Sequence, residues 1–99
     1  MARYNVHRLT GDGLLVLDVQ SDILENMVTR VVVPLVNRED FSKPARRLNP
    51  VIGFEGVDHV MVTQMLSAVS LDELGPPVGN MNDHAPTVMS ALDMLLCGF

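Results

Sequence analysis

The side chains of this 99-residue sequence that could do chemistry are three histidines, one cysteine, twelve carboxylates and seven Lys+Arg. A metal site needs three or four clustered ligands. His7, His59 and His84 are far apart, with no His-x-x-x-His or Cys-x-x-Cys spacing, so no metal site is expected. Cys97 falls at the C-terminal end of a helical pattern, where the helix dipole disfavours a thiolate, which makes it a poor nucleophile. Asp18 and Asp22 bracket Val19-Gln20-Ser21, with Glu25 three residues on. Such a group could serve acid–base work, but carboxylates and a Gln beside a strand end more often order a turn through backbone hydrogen bonds. Gly11-Asp12-Gly13 precedes a strand pattern and reads as a hairpin turn rather than a phosphate loop. Four of the seven basic residues, Arg38, Lys43, Arg46 and Arg47, lie in one short stretch. They could hold a phosphate or a carboxylate-rich partner, or form a solvated loop balanced by Glu39 and Asp40. Nothing here assembles an acid, a base and an anion hole. The residues point to a binding protein rather than an enzyme, with no cofactor.

The elements that must position these residues belong to one small domain, residues 1–99. Hydrophobic residues make up 47% of the chain, too many for a disordered segment. The longest apolar runs, Leu14 to Leu17 and Arg30 to Val36, fall far short of the roughly 20 residues of a membrane helix. No apolar run follows the charges at the N-terminus, so a secretory signal is not expected. One Cys makes no internal disulfide, which suits a reducing, cytoplasmic setting. The net charge of −5 argues against general nucleic-acid binding, which runs on phosphate neutralisation by Lys and Arg. The chain is also poor in aromatics: no Trp, one Tyr and three Phe, against seven Met.

Most of the sequence reads as short strands between turns. Tyr4–Leu9 alternates weakly, and Thr10-Gly11-Asp12-Gly13 is a turn. Leu14–Val19 is a continuous apolar run, as expected of a strand covered on both faces. Arg30–Val36 is β-branched, and its Pro34 marks a strand edge, an end or a bulge. Residues 37–47 form a charged surface loop. Pro50–Phe54 and Asp58–Thr63 form a hairpin across Glu55-Gly56-Val57, and Ser67–Leu71 suggests another strand. Gly75–Asn80 reads as a linker. The last segment is an amphipathic helix with Asp83 as N-cap, Pro86 in the first turn and Gly98 at the C-terminal cap. Its apolar arc holds Ala85, Val88, Met89, Ala91, Leu92, Leu95, Leu96 and Phe99. Asp83, Thr87, Ser90, Asp93, Met94 and Cys97 lie opposite. The pattern implies a strand-rich domain closed by one C-terminal helix, of the all-β or α+β class. The outward patch Asp93, Met94 and Cys97 is its best functional lead.

The run Leu17-Asp18-Val19-Gln20-Ser21-Asp22-Ile23-Leu24, followed by Arg30-Val31-Val32-Val33-Pro34-Leu35, resembles the CcdB family of toxins from type II toxin–antitoxin modules. Further matches are Pro50-Val51-Ile52, the stretch Met61–Val69, and a C-terminal helix ending in an apolar residue, Gly and a final apolar residue. The resemblance covers essentially the whole chain. It implies a mainly β (α+β) fold, a small SH3-like antiparallel barrel with one C-terminal α-helix, working as a symmetric homodimer. It implies binding to the A subunit of DNA gyrase, trapping that enzyme on cleaved DNA, without chemistry by the toxin itself. A cognate antitoxin would neutralise the toxin through a disordered C-terminal segment, and operator DNA would be reached only through that complex.

Carried over residue by residue, the gyrase contacts fall at Ile23, Leu24, Asp93, Leu96, Cys97, Gly98 and Phe99. Antitoxin contacts are expected at Arg8, Asp12, Lys43, Arg46 and Arg47. The best-known members end in Trp-Gly-Ile, whereas this chain carries Cys97 in place of the Trp and ends in Phe99; Asp93 stands where Asn is common. Aromatic anchors concentrate interface energy. Three outcomes are therefore open: weaker gyrase binding, compensation by Phe99, or a different target. A same-fold endoribonuclease would need Arg46 or Arg47 with an acidic residue.

Overall fold

The computed structural model describes residues 2–98. The β-branched run at its centre becomes the longest strand, β3 (Thr29–Asn37), which pairs antiparallel with β2 (Leu15–Asp18). On the far side of β2 lies β1 (Asn5–Arg8), joined to it through the turn at Thr10–Gly13. The C-terminal part of β3 pairs with β5 (Val57–Met61), which forms a hairpin with β4 (Val51–Phe54). Its N-terminal part pairs with β6 (Ser67–Ser70). The two-residue β7 (Gly79–Asn80) pairs with β1, giving the order β4-β5-β3-β2-β1-β7 with β6 beside β3. The result is a curled, antiparallel half-barrel with one α-helix, α1 (Ala85–Cys97).

Strand alternation sends successive residues to opposite faces. Val6, Leu15, Leu17, Val19, Val33 and Leu35 point to one face, where Val88, Ala91 and Leu92 of α1 cover them. Val16 and Val32 point to the other, under Leu9, Leu14, Val69 and Leu74. All four residues of β2 are therefore buried, as a continuous apolar run requires. Each fully buried Val or Leu contributes roughly 1.5–3 kcal/mol.

Phe54 of β4 lies against Gly79 of β7, although these are the two outermost strands. A Cβ on Gly79 would sit 2.5 Å from Cε1 of the Phe54 ring, so the approach of the two sheet edges requires glycine there.

Several sequence expectations are corrected. Pro34 is internal to β3, not at its edge or end, and pairs with Val16. Its carbonyl accepts from Val62 N–H, and N and O of one strand residue face the same side. Its nitrogen therefore faces the gap where β3 changes partner from β6 to β5, and no ladder bond is lost. The β4–β5 turn is Glu55-Gly56, both at positive φ (52° and 78°) as a primed two-residue turn demands, so Val57 belongs to β5. The supposed linker ends in β7, and Val78 N–H donates to Val6. Asp83 is not the cap of α1: it lies within the 3-10 turn Asn82–His84, and His84 takes the cap position without a side-chain hydrogen bond. Asn80 instead accepts from the Asn82 N–H through Oδ1 at 2.7 Å. Pro86 does occupy the first turn, and Gly98 ends the helix at φ 82°, donating to Asp93 and Met94 carbonyls. Leu96 is 69% exposed, so the buried arc of α1 is narrower than the apolar pattern. No helix is long and apolar enough to cross a membrane among the described residues.

Candidate functional site

The segment after β2 cannot continue as a strand because its polar side chains fold it back on itself. Asp18 accepts from Gln20 N–H at 3.0 Å, and Ser21 Oγ accepts from Ile23 N–H at 3.3 Å. These bonds close the 3-10 turn Asp22–Leu24, none of whose residues is buried. At its tip Ile23 is 91% exposed, with Leu24 beside it at 45%. An apolar side chain so fully in water is not there for the core.

Of the carboxylates around this turn, Asp18 orders it as the turn-ordering reading expects, Asp22 bonds across the fold, and Glu25 is exposed. Asp18 forms a two-point ion pair with Arg30, Nε to Oδ2 at 2.8 Å and Nη2 to Oδ1 at 3.0 Å, with both side chains fully buried. Gln20, also buried, donates to the Leu24 carbonyl at 3.2 Å and accepts from Val31 N–H at 2.9 Å. Asp22 Oδ1 accepts from Arg3 N–H at 2.7 Å.

At the end of α1, Asp93, Leu96 and Cys97 are exposed at i, i+3 and i+4, and so share one stripe of the helix. Gly98 follows them, also exposed, while Phe99 lies outside the described residues. Arg3 links α1 to the Ile23 turn. Its guanidinium donates to the Val19 carbonyl at 3.2 Å and meets Met89 Sδ at 2.9 Å. Met89, one turn before Asp93, is the α1 residue that Arg3 reaches. Met27, Val28, Met65 and Met94 add exposed apolar surface. Sequence reasoning missed Arg3 and Arg30 because a lone Arg carries no spacing signal; only the partners across the fold give it a role.

The second group of expected contacts divides in two. Arg8 and Asp12 belong to the β1–β2 hairpin, where Arg8 donates to the Gly13 carbonyl and Asp12 accepts from Leu14 N–H. Lys43, Arg46 and Arg47 are exposed on the loop before β4. Arg47 reaches α1, donating from Nε to Ser90 Oγ at 2.7 Å. Neither Glu39 nor Asp40 neutralises this loop by an ion pair: the Asp18–Arg30 bridge is the one salt bridge among the described residues. Arg38 donates instead to the Phe41 carbonyl. The histidines stay apart, and no cluster of three metal-ligating side chains occurs among the described residues. His7 is spent on structure, its Nδ1 bonded to the Gly75 carbonyl at 2.8 Å.

The turn and the end of α1 thus expose apolar side chains to water. The sequence model of the CcdB protein family matches residues 3–98. The chain belongs to the CcdB family. That membership supports a toxin of a toxin–antitoxin module. Among solved structures, the CcdB-family chain is similar to an endoribonuclease in complex with its cognate antitoxin, from a mycobacterial species. The TM-score is 0.79 at 19% identity, covering 98% of this chain and 95% of that one, which is a likeness of fold.

Proposed function

We propose that this CcdB-family protein is a toxin that binds the A subunit of DNA gyrase and traps the gyrase–DNA cleavage complex, performing no chemistry of its own. The observation that supports the reading is the exposure of the Ile23–Leu24 turn and of the Asp93–Leu96–Cys97 stripe of α1, with Arg3 bonded both to the turn and to the same helix. Those are the positions at which the family's gyrase contacts fall. In a protein interface apolar side chains form the buried centre and polar ones such as Asp93 belong to the rim. The protein works in the cytoplasm as a homodimer, with the exposed methionines tolerating imperfect fit between copies. A cognate antitoxin neutralises it through a disordered segment, using the basic residues Lys43, Arg46 and Arg47 together with Arg8 and Asp12. An acidic toxin then reaches operator DNA only through the antitoxin complex.

The test is to add purified protein to gyrase with supercoiled plasmid and score linear DNA after denaturation. Accumulated linear DNA is the expected result, and its absence at high protein concentration overturns the reading. Light scattering at micromolar concentration is expected to give the mass of a dimer.

A second reading, RNA cleavage, is favoured by the likeness to the mycobacterial endoribonuclease. It needs a cation held against a general base. Arg46 and Arg47 are exposed and make no ion pair with a carboxylate among the described residues. RNA degradation in a parallel tube would favour it. A third outcome, antitoxin binding without gyrase poisoning, would follow from Cys97 standing where a Trp anchors other members.

A further inference from the structure

An ion pair with both side chains fully buried is a poor way to stabilise a 99-residue domain. Desolvation consumes most of its attraction, and apolar residues of similar volume commonly do as well or better. Here one further donor, Arg30 Nη1, is buried with no acceptor at all. The two other hydrogen bonds that the pair makes both go to one residue. Asp18 Oδ1 accepts from Gln20 N–H, and Arg30 Nη2 donates to the Gln20 carbonyl at 3.3 Å. Both backbone groups of Gln20 are thereby clasped. Its side chain then ties Val31 on β3 to the Leu24 carbonyl at the far end of the exposed turn. The turn itself buries none of its three residues. It hangs from Gln20, with Arg3 holding Asp22 from the other side.

We infer that Gln20, held by the Asp18–Arg30 pair, is a positioning residue that fixes the Ile23–Leu24 turn in its binding geometry before a partner arrives. A loose tip would have to be ordered on binding, and that ordering lowers affinity. The occupant rests on the gyrase reading above; the positioning does not, and the test separates them.

Amide hydrogen exchange is measured on the free full-length protein, wild type against Gln20→Leu, which keeps volume but removes both side-chain bonds. The amides of Ile23, Leu24 and Met27 should exchange about tenfold faster, the scale of one or two lost hydrogen bonds, while those of Leu17 and Val33 stay unchanged. Gln20→Glu, which keeps an acceptor for Val31 but no donor for Leu24, should restore Val31 protection and leave the tip fast. The pair Asp18→Leu with Arg30→Met should fold with an undiminished melting temperature and still loosen the tip. A uniform acceleration across tip and strands, or an unchanged tip, overturns the inference. Titration of the gyrase A subunit with wild type and Gln20→Leu supplies the second readout, with roughly tenfold weaker binding expected of the variant. If wild type fails to bind gyrase A, the gyrase reading falls, and the exchange data still decide whether Gln20 positions the turn.

Discussion

The middle of the sheet and the turn that leaves it use neighbouring residues for opposite ends. From Leu15 to Gln20 every residue is buried; from Asp22 to Val28 every residue is exposed. In the first stretch apolar side chains lie against α1 and Leu74, and the one carboxylate is paired with Arg30. In the second, Ile23, Leu24, Met27 and Val28 face water. Hydrophobicity alone therefore does not distinguish core from exposed surface in this protein. The distinction lies in whether the backbone has a neighbouring strand to place the side chain against.

If that contrast is right, substitutions in the two regions should separate stability from binding. The largest stability loss is expected from Arg30→Ala, which leaves Asp18 buried and unpaired, at about 3–5 kcal/mol. Urea titration should find the variant largely unfolded, and a stable variant would break the contrast at its centre. Leu17→Ala, fully buried between strands and helix, should lose about 2–5 kcal/mol by cavity formation, read as a lower urea midpoint. Gly79→Ala drives a methyl into the Phe54 ring and should lose about 1–3 kcal/mol. Pairing it with Phe54→Leu should recover part of that loss in a melting curve. A far smaller stability effect is expected of Ile23→Ser, within about 0.5 kcal/mol of wild type. Gyrase A binding should nevertheless fall at least tenfold, as for the loss of a central interface residue. Cys97→Trp sharpens the same side of the comparison. It should leave the melt unchanged and raise gyrase affinity about tenfold, read by titration of the gyrase A subunit.

Much of the fold was legible because local pattern and tertiary position agree. Leu14–Val19 reads as a doubly covered strand and is one, and the β-branched run Arg30–Val36 becomes the long central strand. The helix and its Gly98 cap follow from spacing alone. What was misread involves partners distant in sequence. Pro34 looks like a strand end until the change of partner from β6 to β5 explains where its missing N–H falls. Gly79-Asn80 looks like linker because a two-residue edge strand has no period to detect. Leu96 belongs to the apolar arc by angle, yet the buried residues of α1 end at Leu92 and this side chain meets water.

The resemblance names Ile23, Leu24, Asp93, Leu96, Cys97 and Gly98, all of which the structure leaves exposed, while Phe99 lies outside the described residues. The apparatus behind these positions was not legible. The sequence by itself determined the strands, the closing helix, the turn-forming carboxylates and the poverty in aromatics, because these depend on alternation, on helical spacing and on side chains bonding their own backbone. Only the tertiary structure decided that Arg30 pairs with Asp18, that Arg3 joins the turn to α1, and that Ile23 stays in water while Leu17 does not. Those outcomes depend on which strand or helix lies opposite, and that contact is made by the folded chain rather than by its local sequence.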